Sequence, residues 1–150
     1  MRALLQRVSE SRGDVDNQIV GDIGKGLCIF VGIAETDNDK DVTYLVDKIL
    51  NLRIFPNTDG KFDLSALDIN AELLIISQFT LYANTNKGRR PSFVRSAHPE
   101  KAKGMFNELV DRFKESNLKV ESGKFQHHMH VSLINDGPVT ILIDSRDLEI

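Results

Sequence analysis

Two short runs hold most of the residues that could do chemistry in this 150-residue chain. The first, Ser77-Gln78-Phe79-Thr80-Leu81, closes an apolar stretch that begins at Leu73. A continuing strand would put Ser77, Phe79 and Leu81 on one face and Gln78 and Thr80 on the other. Polar side chains at the end of such a strand need partners if buried. They could bond neighbouring backbone as the strand exits. They could also floor a pocket in which backbone N–H groups meet a developing oxyanion. The second run is Asn135-Asp136-Gly137-Pro138-Val139-Thr140. A Gly-Pro bond can be cis at a cost of about 0.5–1 kcal/mol, and glycine lets a ligand approach the backbone. From the residues alone, an ordinary β-turn is the better reading.

Other catalytic patterns are weak. There is no Gly-x-Ser-x-Gly elbow and no phosphate-binding glycine loop. Gly21, Gly24 and Gly26 precede a strand rather than open a helix, which fails the dinucleotide context. The single cysteine, Cys28, rules out an internal disulfide and a cysteine-based zinc cluster. It lies in an apolar run and reads as inert core. His127, His128 and His130 cluster, with His98 distant. A metal pair at 128 and 130 is conceivable, but no carboxylate or cysteine is suggested beside it, and exposed strand histidines fit better.

Charge is unevenly distributed. The chain carries 19 basic and 22 acidic residues, a net of −3, which disfavours an indiscriminate nucleic-acid coat. Yet no Asp or Glu occurs between Glu72 and Glu100, while Lys87, Arg89, Arg90, Arg95 and His98 fall there. Basic side chains bind phosphates, and aromatic neighbours such as Tyr82 and Phe93 can stack on unpaired bases. A solvated loop is the plainer reading. The loop begins directly after Ser77-Gln78-Phe79-Thr80, so a phosphate grip would adjoin a polar pocket.

These runs need a scaffold. Residues 2–8, 19–23 and 27–33 read as strands, the last apolar nearly throughout. Val42, Leu45, Val46, Ile49 and Leu52 recur at helical spacing within 37–52, with Thr36 or Asp37 as cap. Residues 57–60 are a turn and 73–81 a strand. Pro99 opens a second helix with the stripe Ala102, Met105, Phe106, Leu109, Val110 and Phe113, which stops near Asn117. Strands follow at 119–121 and 125–134. Asn135-Asp136-Gly137-Pro138 turns the chain into a last strand, 139–143. The class is α+β: mainly antiparallel, barrel-like sheet with two helices packed on one side, in one domain spanning 1–150. No apolar run approaches the roughly 20 residues of a membrane helix, and the first residues do not read as a signal peptide. A cytoplasmic setting is expected.

The sequence resembles the D-aminoacyl-tRNA deacylase (D-tyrosyl-tRNA deacylase) family essentially end to end. The resemblance rests on Met1-Arg2-Ala3, Gln6-Arg7-Val8, Lys48-Ile49-Leu50-Asn51-Leu52-Arg53-Ile54-Phe55 and Gly88-Arg89-Arg90-Pro91-Ser92-Phe93, with the two runs above as signature motifs. It implies a homodimer, with the active site at the subunit interface, that hydrolyses the ester between a D-amino acid and the 3′-terminal adenosine of tRNA. No metal or organic cofactor is implied. Ser77, Gln78, Phe79 and Thr80 would form the catalytic pocket. Gly137 and Pro138, joined by a cis bond, would reach into the partner's pocket and select chirality through backbone atoms. Met129 and Phe125 would help bind the substrate, and Lys87, Arg89, Arg90 and Arg95 would hold tRNA. Rejection by clash would leave glycine, which lacks a side chain, open to cleavage from tRNA. Thr80 could be a nucleophile, or the ribose 2′-hydroxyl could assist water while N–H groups near Phe79 and Thr80 hold the oxyanion. The absence of an evident base favours the second. The chain departs from the family at Gln126-His127-His128, where Gly-Ala-Asp is frequent, and in the segment 9–16. The alternative is a non-catalytic tRNA 3′-end binding module.

Overall fold

The sheet is built around β1 (Arg2–Val15), and the computed structural model describes residues 1–146. On one edge, β1 pairs antiparallel first with β3 (Gly26–Gly32), then with β2 (Gln18–Ile23). β8 (His130–Asp144) runs antiparallel along its other edge. β1 extends past the expected end at residue 8 because burial keeps alternating at Ser11, Gly13 and Val15. Serine and glycine at two inward positions conceal that period from a hydrophobicity reading.

β6 (Glu72–Ser77) joins β3 in parallel, and β7 (Val120–Ser122) joins β6 in parallel. Each parallel step follows a helical crossover. The first crossover holds α1 (Asp39–Asn51) and the small antiparallel pair β4 (Phe55–Pro56) and β5 (Phe62–Leu64). The second holds α2 (Pro99–Lys114). The other pairings are antiparallel, so the sheet system remains mainly so.

The two helices share one core. Val42, Leu45 and Ile49 of α1 and Phe106, Leu109 and Phe113 of α2 pack with Leu5, Leu27, Ile29, Leu73 and Ile75. The opposite sheet face carries a smaller cluster of Val8, Ile23, Cys28, Leu74 and Ile76, against which Met129 and Val131 pack. The cap of α1 is Asn38, not Thr36 or Asp37. Its Oδ1 accepts from the Lys40 N–H at 3.0 Å, and the Asp41 carboxylate accepts from the Asn38 N–H at 2.9 Å. Asp37 is buried and accepts from the Ala34 N–H and the Met1 ammonium.

Three corrections bear on the site. The strand expected over 73–81 ends at Ser77, and residues Phe79–Tyr82 form a 3₁₀ turn. β6 loses its partner there: the register with β3 ends at Val31↔Ser77, and the Gln78 N–H donates once more to the Val31 carbonyl at 2.7 Å. Gly32 lets the turn fold back, since a Cβ there would stand 3.0 Å from Leu81 Cβ and 3.1 Å from the Gln78 carbonyl oxygen. Second, residues 135–138 do not separate two strands. β8 passes through them, and two steps along β1 (Gln6 to Val8) match five along β8 (Thr140 to Asn135), leaving a wide bulge. Nor does a strand begin at 125, because residues 125 and 126 turn, with Gln126 at φ 58°. Among the described residues no helix is long and apolar enough to cross a membrane.

Candidate active site

Where β6 gives way to the 3₁₀ turn, a cleft of about 960 Å³ opens. Ser77, Gln78 and Phe79 lie at its base. Phe93, Val94, Ser96 and Ala97 form one wall, and Phe125, His127, His128 and Met129 another. Phe79 and Phe93 meet edge to face with centroids 5.0 Å apart. The Ser96 hydroxyl donates to the Phe79 carbonyl at 3.2 Å, tying wall to base. Phe79 is 56% exposed and Val94 88%, an apolar lip open to a ligand.

Thr80 does not share a strand face with Gln78. It sits in the 3₁₀ turn, exposed, and its hydroxyl oxygen accepts from the Gln78 amide. Among the described residues no histidine or carboxylate bonds to that hydroxyl, and its one partner is the Gln78 amide. The leading N–H groups of a helical turn have no partners within the turn, and here the turn starts at the cleft.

The walls depend on residues that motif reading passed over. Glu35 lines the cleft; its carboxylate accepts from the His98 N–H at 2.9 Å, and its carbonyl accepts from Lys101. This bridges the chain after β3 to the start of α2, a long-range pairing that spacing does not reveal. Tyr82, the last residue of the turn, is buried. Guanidinium groups of Arg2 and Arg95 lie 4.8 and 5.8 Å from its ring centroid. Burial, with Asp37 and Asp144 adding, pushes its phenol well above the ordinary range. Arg95 is thereby placed beside the cleft wall, while Lys87, Arg89 and Arg90 stand exposed in the preceding loop. Asn84 and Ser92 close that loop with two backbone bonds of 2.8 and 3.0 Å.

Gly137 and Pro138 are exposed on the β8 bulge and do not line this cleft. Their peptide bond is cis, and Gly137 has φ +145°. A Cβ on Gly137 would stand 2.7 Å from Val139 Cγ2 and 3.1 Å from Arg7 Nη2. Asn135 staples the bulge: its Oδ1 accepts from the Val139 N–H at 2.7 Å, and its amide donates to Thr140 Oγ1 at 3.0 Å. Buried Arg7 underpins it, donating from Nε to the Asp136 carbonyl at 2.9 Å and from Nη1 to the Ile54 carbonyl at 2.7 Å. Asn135 and Arg7 both lie in motifs singled out from the sequence, but their supporting roles emerge only from the β1–β8 pairing.

His128 and His130 meet edge to face at 5.1 Å. Among the described residues no group of three or more His, Cys, Asp or Glu is arranged to hold a metal ion.

An apolar-walled cleft with a few convergent hydroxyl, amide and backbone groups on an α+β sheet is the class of site that can hold and hydrolyse an ester. The family described as D-Tyr-tRNA(Tyr) deacylase matches residues 4–144. A D-aminoacyl-tRNA deacylase of Halothermothrix orenii is 56% identical over 145 residues, covering 97% of both chains. One of Aquifex aeolicus is 53% identical over 148 residues, covering 99% of this chain and 100% of the relative. Among solved structures, the c-Myc DNA Unwinding Element Binding Protein superposes with a TM-score of 0.90 at 36% identity, covering 96% of this chain and 98% of that one. A probable eukaryotic D-amino acid tRNA deacylase superposes with a TM-score of 0.85 at 16% identity, which speaks for the fold, over 95% and 97% of the two chains. The chain belongs to the D-Tyr-tRNA(Tyr) deacylase family.

Proposed function

We propose that this protein is a D-aminoacyl-tRNA deacylase: it hydrolyses the ester of D-aminoacyl-tRNA to free D-amino acid and tRNA. The observation that carries this reading is the cleft based on Ser77, Gln78 and Phe79, in a chain that matches the family from residue 4 to 144. The whole chain acts as one domain, in the cytoplasm, and its reaction needs no metal or organic cofactor.

The site is shared between two copies. In one chain the cleft and the Gly137-Pro138 bulge are separate features, each built to be exposed. A homodimer brings Gly137 and Pro138 of one copy over the cleft of the other. Their backbone carbonyls take the substrate ammonium and exclude an L side chain by clash, so selection is by rejection and many D side chains are accepted. Glycine escapes that clash, and glycyl-tRNA is a secondary substrate. Phe125 and Met129 form the wall against which the terminal nucleoside lies, and Phe79 walls or stacks on its base. Lys87, Arg89, Arg90 and Arg95 meet tRNA phosphates.

Hydrolysis proceeds without a protein nucleophile. Water attacks the ester carbonyl, assisted by the free ribose 2′-hydroxyl, and N–H groups of Phe79 and Thr80 hold the oxyanion. Ser77 and Gln78 shape the pocket and orient the ester. The test is hydrolysis of D-Tyr-tRNA and L-Tyr-tRNA by the purified protein. D-Tyr-tRNA is cleaved and L-Tyr-tRNA left largely intact. Equal rates would remove chiral selection, and salt-dependent tRNA binding without cleavage would leave only a binding module for the 3′ end.

A further inference from the structure

We infer that His127 is a binding residue for the substrate: its ring accepts a hydrogen bond from the terminal nucleoside of the tRNA, and it sets affinity rather than rate. This deepens the deacylase reading and rests on it, because that reading places the terminal nucleoside against the wall containing Phe125 and Met129.

Three observations converge on His127. It lines the cleft and is exposed, so its ring is open to a ligand. Its backbone and its ring each make one hydrogen bond within the turn. Its backbone N–H donates to the Lys124 carbonyl at 3.3 Å, closing the turn in which Gln126 has φ 58°. Its ring Nδ1 stands 2.8 Å from the Phe125 carbonyl oxygen.

That ring contact fixes the chemistry. A carbonyl oxygen only accepts, so Nδ1 must carry the hydrogen. In the neutral ring, Nε2 is then left as a lone-pair acceptor. Because the ring is fixed by a bond within its own turn, little rotamer entropy remains to be lost when a ligand arrives. The donors on a 3′-aminoacyl adenosine are the ribose 2′-hydroxyl, which the proposed hydrolysis already employs, and the exocyclic amine of the base, which presents an N–H to such an acceptor. Across the cleft, Phe79, Phe93 and Val94 offer apolar surface, while Ser77, Gln78 and Ser96 lie at the base and the wall. His127 supplies a directional contact on the Phe125 and Met129 side.

His127→Ala raises KM for D-Tyr-tRNA about three- to tenfold, the worth of one neutral hydrogen bond, with kcat held within about twofold. His127→Phe keeps the ring, loses the acceptor and behaves like alanine. His127→Gln restores an acceptor and recovers part of the loss. The melting temperature falls by no more than about 2–4 °C, since the fold loses only the exposed ring bond to Phe125. A D-Tyr-tRNA ending in purine riboside, which lacks the exocyclic amine, tests the donor. The wild type loses the same factor on it and His127→Ala loses nothing further. A wild type indifferent to that change overturns the contact. The contact is overturned if the wild type cleaves D-Tyr-tRNA and both His127→Ala and His127→Phe keep its KM. A non-cleavable amide analogue, 3′-(D-tyrosylamino)-3′-deoxyadenosine, keeps this separate from the deacylase reading. If the wild type fails to cleave D-Tyr-tRNA, the deacylase reading falls. Weaker binding of the analogue to His127→Ala than to wild type then upholds the contact, and equal binding or no binding overturns it.

Discussion

At the scale of single residues, Thr80 and Gly137 make opposite claims. The Thr80 hydroxyl is turned to the Gln78 amide, and among the described residues no base meets it to accept its proton. Thr80→Ala is expected to retain single-turnover hydrolysis within about tenfold of wild type, the scale of one lost polar contact. A loss of several orders of magnitude would restore the nucleophile. Gly137 is exposed and carries no side chain, yet its substitution should be far more damaging. Its φ of +145° suits glycine, and an added Cβ would crowd Val139 and Arg7. Gly137→Ala is expected to lose about 100-fold in kcat through displacement of the bulge, at a stability cost of about 1–3 kcal/mol. Retention of full activity would show that the bulge tolerates movement. The two signature motifs were legible in the sequence as chemistry-bearing runs. The geometry of Thr80 was not, because it depends on where β6 runs out of partner.

Among the elements, β3 carries a pH signature. Cys28 lies fully buried between Leu27 and Ile29, and burial pushes its thiol up from 9.0 to about 11, against a smaller opposing effect of the Ser11 hydroxyl. The folded chain thus holds a proton that the unfolded chain releases. The stability linked to this thiol is complete below pH 9.0 and is lost as pH rises toward about 11. A shift of this size corresponds to roughly 2–3 kcal/mol. Cys28→Ala costs some stability near neutrality through a small void, but its denaturation midpoint should fall less than that of wild type across the alkaline range. Parallel pH profiles for the two proteins would contradict the assignment. Tyr82, raised in the same direction, contributes equally to both and cancels in the comparison.

Elements were read best where apolar period and flanking residues agreed, as in the stripes of α1 and α2 and the start of α2 at Pro99. They were misread where pairing overrode local pattern. β1 runs on through serine and glycine because β2 and β8 flank it. β8 runs through Asn135, Gly137 and Pro138 because β1 continues beneath it. The parallel joins of β6 required helical crossovers whose consequence for strand direction is not written in any one segment.

For the whole molecule, the proposal of a second copy rests on the Gly137-Pro138 bulge lying outside the cleft lining in one chain. The cleft walls could not be read from the sequence, since Glu35, residues 93–97 and residues 125–129 meet only after both crossovers have folded. The charge total was a poor guide for a related reason. The basic loop sits beside the cleft, while the acids lie elsewhere in the sequence.

Complementation tests the shared site directly. Phe79→Pro removes an N–H at the first position of the 3₁₀ turn, where proline is well tolerated, and Gly137→Ala displaces the bulge. Each alone should be nearly inactive on D-Tyr-tRNA. If the proposed two-copy site holds, unfolding and refolding the two together forms mixed dimers in which one of the two sites is wholly wild type. An equimolar mixture should recover about a quarter of wild-type D-Tyr-tRNA hydrolysis, since half the dimers are mixed and each has one intact site, while L-Tyr-tRNA stays largely uncleaved. A mixture as inactive as its parents, or one that cleaves both substrates equally, would contradict a chirally selective site built from two copies.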